Sequence, residues 1–133
     1  VKELRAKTEL STVAGEVRQV LSNLVANAID AAPTQGVITI RTKTARANGT
    51  DVPGIQVTVA DSGSGIDAAL KNKIWEPFFT TKKDVGTGLG LWVSKQIIEK
   101  HGGSIRFRSS NHGTLFVVFL PSMAAAQSTR VSA

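Results

Sequence analysis

At 133 residues, with 41% hydrophobic and 20% charged residues, the chain has the length and composition of one folded domain with a single core, and no apolar run is long enough to cross a bilayer. Cysteine is absent, which excludes disulfides and Cys-ligated metals, and His101 and His112 are too isolated for a His-rich metal site. The net charge of +6 raises the question of nucleic acid, but Lys and Arg are scattered, tyrosine is absent, and no aromatic ladder for base stacking stands among the cations.

The charged start VKELRAK is not a signal peptide. A short strand is expected around Thr8–Val13. From Glu16 the pattern turns helical, with Val17, Val20, Leu21, Leu24, Val25, Ala28 and Ala32 on one apolar face, and Pro33 and Gly36 end the helix. Two strand-like runs follow, VITIRTKT and IQVTVA, joined by the turn-rich ANGTDVPG. The stretch DAALKNKIW predicts a short helix with Asp67 near its N-terminus. Residues Glu76–Gly88 form a polar loop without periodicity, and loops of such length are usually functional. Leu89–His101 is helical again and is stopped by Gly102–Gly103. Two last strands, SIRFR and TLFVVFL, flank the turn SSNHG. This order suits a mixed sheet with helices on one face, a two-layer α/β sandwich. The domain is expected over residues 1–121, with 122–133 as a disordered tail.

Three stretches carry candidate chemistry. On the first helix Asn23, Asn27 and Asp30 share one side. They are either a solvated polar stripe or oxygen ligands for a hard cation such as Mg²⁺, which keeps waters and shares phosphates with a substrate. Asp61-Ser62-Gly63-Ser64-Gly65-Ile66 directly follows an apolar strand. A carboxylate there suits an exocyclic amine such as that of adenine, and the glycines let backbone lie against a flat ring; an ordinary Asp-Gly turn is the plainer alternative. Gly86-Thr87-Gly88-Leu89-Gly90-Leu91 ends the long loop and opens a helix, whose free N–H groups suit phosphate oxygens. No Gly-Lys-Ser/Thr follows, so it is not a P-loop, and no strand precedes it, which argues against a dinucleotide fingerprint. Between these stretches, Phe78 and Phe79 beside Lys82 and Lys83 read as a lid or as a hydrophobic staple with solvated lysines.

Taken in order, NLVANAIDA, DSGSGI, EPFFTT and GTGLGL resemble the N, first G, F and second G boxes of histidine-kinase catalytic domains, a branch of the superfamily that includes gyrase-type, heat-shock chaperone and mismatch-repair ATPases. The resemblance runs from about Glu16 to Pro121 and implies the Bergerat-type ATP-binding fold. By position it implies Asn27 as the principal Mg²⁺ ligand with Asn23 assisting, and Asp61 on the adenine amine in a pocket shaped by Gly63, Gly65 and Ile66. It puts Phe79 and Lys82 in the ATP lid and Gly86, Thr87, Gly88, Leu89 and Gly90 around the phosphates, and Thr114 resembles a threonine that supports adenine through water. Many relatives carry Lys or Arg where this chain has Asp30, which leaves one phosphate contact unassigned.

The ATPase branches resemble one another in a glutamate four residues before the metal-binding asparagine, where it activates water. Asn23 stands there in this chain and cannot act as a general base. The resemblance therefore implies a domain that holds Mg·ATP and donates its γ-phosphate to a histidine on a separate dimerisation hairpin, with a response regulator downstream. His101 closes a helix and His112 sits in a turn, so both read as structural and neither as the phosphoacceptor. Trp92 lies off the apolar face of the last helix, beside Lys95, Gln96 and Glu99, and either covers a sheet edge or meets the hairpin. An ATP-gated interaction module and a water-activating ATPase are the alternatives. The domain is expected to be monomeric and cytoplasmic without a nucleic-acid partner, whether or not its parent is membrane-anchored.

Overall fold

The computed structural model describes residues 2–4, 14–47, 49–79 and 89–122. Helix α1 (Ala14–Ala31) begins two residues before the sequence pattern does. Its three- and four-residue apolar spacing buries Val20, Leu24 and Ala28, with Val17 and Leu21 packed beside them. The last helical bond runs from Ala32 N–H to Ala28, after which Pro33 cannot continue the ladder and Gly36 N–H closes a turn on the Pro33 carbonyl.

Strands β2 (Ile38–Arg46) and β3 (Pro53–Asp61) form an antiparallel hairpin, in register from Ile38 opposite Asp61 to Arg46 opposite Pro53. Strands β4 (Ser104–Ser110) and β5 (Gly113–Pro121) form a second, and β5 also pairs antiparallel with β3. A short strand β1 (Lys2–Leu4) runs parallel to β2, giving a mixed sheet in the order β1-β2-β3-β5-β4. The strand expected around Thr8–Val13 lies outside the described residues. Ser122, expected in the tail, is buried and donates its N–H to the Pro53 carbonyl, so the sheet continues to that point.

Alternation sets the inner face. Ile55, Val57 and Val59 from β3 and Phe116, Val118 and Leu120 from β5 meet the buried residues of α1 and of helix α2 (Gly90–Lys100) in one core. Val117 and Phe119 point the other way yet are also buried, which explains why the inner strand β5 reads as a continuous apolar run. Helix α2 presents Ser94, Ile97 and Ile98 to the core and ends in a paired stop: Gly103 N–H bonds the Ile98 carbonyl and Gly102 N–H the Glu99 carbonyl.

The helix expected over DAALKNKIW is instead two 3₁₀ turns, Ala68–Leu70 and Lys73–Trp75. Asp67 does cap the first, its carboxylate accepting Ala69 N–H at 3.0 Å. Nine residues are too few to stabilise an α-helical nucleus, and Glu76, pushed to extended backbone by Pro77, ends the second turn. Among the described residues no helix is long and apolar enough to cross a membrane.

Candidate functional site

Asp61 ends β3, and its Oδ1 accepts Gly63 N–H at 2.9 Å and Thr114 N–H at 3.3 Å. One carboxylate oxygen thus fixes both the turn after β3 and the start of β5. The chain then passes close to two other elements, each approach needing a residue without Cβ. A Cβ on Gly63 would lie 2.4 Å from the Ala31 carbonyl oxygen, and one on Gly65, at φ +88°, would lie 2.0 Å from the Ser110 carbonyl oxygen. The two glycines therefore let the loop touch the C-terminal end of α1 on one side and the β4–β5 turn on the other. Beyond them Ile66 N–H donates to Ser109 Oγ at 2.6 Å, and Ser109 Oγ is 3.0 Å from the buried Thr114 hydroxyl. Asp61, Gly63, Gly65, Ile66 and Thr114 are thereby brought together at one end of the sheet.

Asn27 lies one turn before Ala31 on α1 and is half-buried, Asn23 is half-buried one turn earlier, and Asp30 is exposed. Asn23 faces the first turn of α2: its Nδ2 donates to the Gly90 carbonyl and to Ser94 Oγ, both at 3.3 Å. A carbonyl oxygen only accepts, so this contact fixes which end of the amide is nitrogen, and Oδ1 stands beside Gly90, 3.9 Å from where a Cβ would lie. The second G box thus returns beside α1 at Leu89 and Gly90. Lys82, Gly86, Thr87 and Gly88 lie outside the described residues.

Aromatic residues frame the segment between. Phe79 packs on the core, whereas Phe78 is 73% exposed and has φ +67°. Trp75 lies 6.0 Å from Phe107 and 6.2 Å edge-on from Phe116, with the Lys95 ammonium 5.2 Å over its ring. Trp92 is exposed on α2, outside the core.

The two histidines lie in different places. His101 Nε2 is 3.1 Å from one oxygen of Glu16, whose other oxygen accepts from Lys100 Nζ at 3.1 Å, which clamps the start of α1 to the end of α2. Hydrogen bonds from Lys100 and then His101 hold the Glu16 carboxyl below the usual glutamate range. His112 is exposed in the β4–β5 turn, its backbone N–H donated to Ser110 Oγ. A cleft of about 270 Å³ opens beside Asp61 and Thr114, lined also by Ser109, Arg108 and His112. Asn23, Asn27 and Gly90 are not among the residues that line it. Among the described residues no three His, Cys, Asp or Glu side chains cluster as a metal cage.

Sequence reasoning missed Ser94 and Ser109. Both signals were present. Ser109 continues the inward alternation of Ile105 and Phe107, and Ser94 shares the helical face of Ile97 and Ile98.

The family model described as histidine kinase-, DNA gyrase B-, and HSP90-like ATPase matches residues 12–124. The sensor histidine kinase ZraS of Salmonella typhi is 47% identical over 110 residues, covering 82% of this chain and 22% of that protein. The two-component sensor PprA of Pseudomonas aeruginosa is 38% identical over 130 residues, covering 94% of this chain and 14% of that protein. The chain thus spans about a fifth or less of the length of these curated relatives. Among solved structures, the catalytic domain of histidine kinase ThkA in a nucleotide-free form superposes with a TM-score of 0.75 at 36% identity, covering 91% of this chain and 78% of that one.

Proposed function

The chain belongs to the histidine kinase-, DNA gyrase B- and HSP90-like ATPase family, and we propose that it binds Mg·ATP as the catalytic domain of a sensor histidine kinase. In this reading the adenine amine donates to Asp61, whose position is set by Gly63 and Thr114. Gly65, Ile66, Ser109 and Thr114 shape the wall around the base, with Thr114 acting through water. The phosphates run along α1 toward Gly90. The family resemblance assigns Lys82, Gly86, Thr87, Gly88 and Leu89 to the phosphates, and Phe79, packed on the core, to the base of the lid.

The residues fit a magnesium ion. Mg²⁺ takes oxygen ligands, keeps waters and is commonly shared with substrate phosphates, so it needs no carboxylate cage. Asn27 would supply the principal oxygen and Asn23 would assist through Oδ1, the amide end left free of the Gly90 and Ser94 contacts. When bound, the ion neutralises charge that builds on the phosphates during transfer. The chain's own residues hold the nucleotide in line for attack, which is most of what phosphoryl transfer requires.

Asn23 is the observation that favours transfer to protein over hydrolysis. It occupies the place of a water-activating glutamate, it carries no basic group, and its nitrogen is committed to Gly90 and Ser94. The acceptor is then a histidine on a dimerisation hairpin, with a response regulator taking the phosphoryl group onward. The nitrogen of that histidine attacks the γ-phosphorus, an N–P bond forms, and the P–O bond to ADP breaks.

Asp61→Asn isolates the recognition step. An asparagine Oδ1 still accepts from Gly63 and Thr114, but its nitrogen cannot accept from adenine. Calorimetric titration with Mg·ATP is expected to show a loss of roughly tenfold to hundredfold, from a lost hydrogen bond of about 1.5–3 kcal/mol, with little change in melting temperature. Unchanged ATP affinity in the folded variant would remove Asp61 from the pocket.

A further inference from the structure

Ser94 is the most deeply buried polar residue among the described residues. Its side chain is fully buried, on the face of α2 that otherwise presents Ile97 and Ile98. Burying a hydroxyl there costs free energy unless it is hydrogen-bonded, and alanine would fill the same helix position without that cost. The partner it finds is Asn23 Nδ2, at 3.3 Å.

Each asparagine amide has two N–H donors. Those of Asn23 are both used, one by the Gly90 carbonyl and one by Ser94 Oγ, and the two acceptors lie one helical turn apart on α2. A flipped amide would set Oδ1 against the Gly90 carbonyl and lose that bond, so the carbonyl selects the orientation and the Ser94 hydroxyl, the second anchor, restrains the amide plane. We propose that Ser94 is a positioning residue: with the Gly90 carbonyl it holds the Asn23 amide so that Oδ1 is presented to the metal. This rests on the Mg·ATP reading above. The consequence is that the metal-facing side of α1 is set by the first turn of α2, the element the chain enters directly after the lid segment.

Groups that orient a metal ligand alter metal-dependent affinity and leave metal-free binding alone. The test is calorimetric titration of a non-hydrolysable ATP analogue into wild type and Ser94→Ala, once with Mg²⁺ and once with EDTA. Affinity with Mg²⁺ is expected to fall roughly tenfold in the variant while affinity in EDTA stays within about twofold. Ser94→Cys, which keeps a similar shape but accepts poorly, is expected to show the same selectivity and guards against a packing defect in the alanine variant. An equal loss in both conditions would make Ser94 a structural residue only, and no loss in either would also overturn the proposal. No binding of the analogue by folded wild type is a different result: it removes the nucleotide reading itself, and this inference with it.

Discussion

Gly65 carries more of the site than its size implies. With φ at +88° and the Ser110 carbonyl oxygen 2.0 Å from where a Cβ would stand, alanine is excluded by both conformation and space. Gly65→Ala is expected to destabilise the domain by about 1–3 kcal/mol, read as a lowered melting temperature. It should also weaken nucleotide binding, because the loop must move and take with it the Ile66 N–H bond to Ser109. A variant that melts like wild type would mean the loop relaxes without cost. Asp61, Gly63 and Gly65 were legible in the sequence because their chemistry is local: a carboxylate at a strand end and glycines at fixed spacing. Ser109 and Ser94 were not singled out, since a serine acquires meaning only when the face it occupies is known. The amide orientation of Asn23 lay wholly beyond the sequence, being set by acceptors more than sixty residues away.

Helices α1 and α2 are joined at two levels. Asn23 ties the middle of α1 to the first turn of α2, and Glu16 ties the start of α1 to the last turn of α2 through Lys100 and to its cap through His101. Because the Glu16 carboxyl titrates below its ordinary range of about 4.3, folding favours its ionised form. That contribution is fully present above the unfolded value and is lost as pH falls through the folded one. Glu16→Gln is therefore expected to lower the melting temperature at neutral pH, and the gap from wild type should close as the pH is taken below about 4. A gap independent of pH would show that shape, not charge, holds the clamp. The helices themselves were legible from apolar spacing, β2, β3 and β4 from alternation, and β5 from its continuous apolar run. The stretch after Asp67 misled because its cap is real but its run is short, and the proline at Pro77 intervenes before an α-helix can form. The lone His101, read from sequence as closing a helix, indeed caps α2 and also reaches Glu16.

At the scale of the whole molecule, the described surface bears two large aromatic groups near the lid segment that the core does not use. Phe78 is 73% exposed with backbone in the left-handed region, a conformation that costs a non-glycine residue free energy. Trp92 stands exposed on the first turns of α2, beyond the other end of that segment. Exposed aromatics of this kind are typical anchors for a partner surface. If the partner is the phosphoacceptor hairpin, nucleotide binding and phosphoryl transfer are separable functions of different residues. Asp61→Asn should then lose both, whereas Trp92→Ala should keep its affinity for Mg·ATP and lose transfer. The experiment is labelling from γ-labelled ATP, with the domain alone and with a separately produced dimerisation hairpin of a related kinase. No label is expected on the domain alone, since His101 is held by Glu16 and His112 lies in the β4–β5 turn, its backbone N–H bonded to Ser110 Oγ. Label should enter the hairpin when wild type is present and fall roughly tenfold or more with Trp92→Ala, the loss expected of a central aromatic anchor. Equal transfer by both proteins would place the docking contact elsewhere. A Trp92→Ala variant that binds nucleotide poorly would instead make the tryptophan part of the pocket's support, and the division between binding and docking would fail.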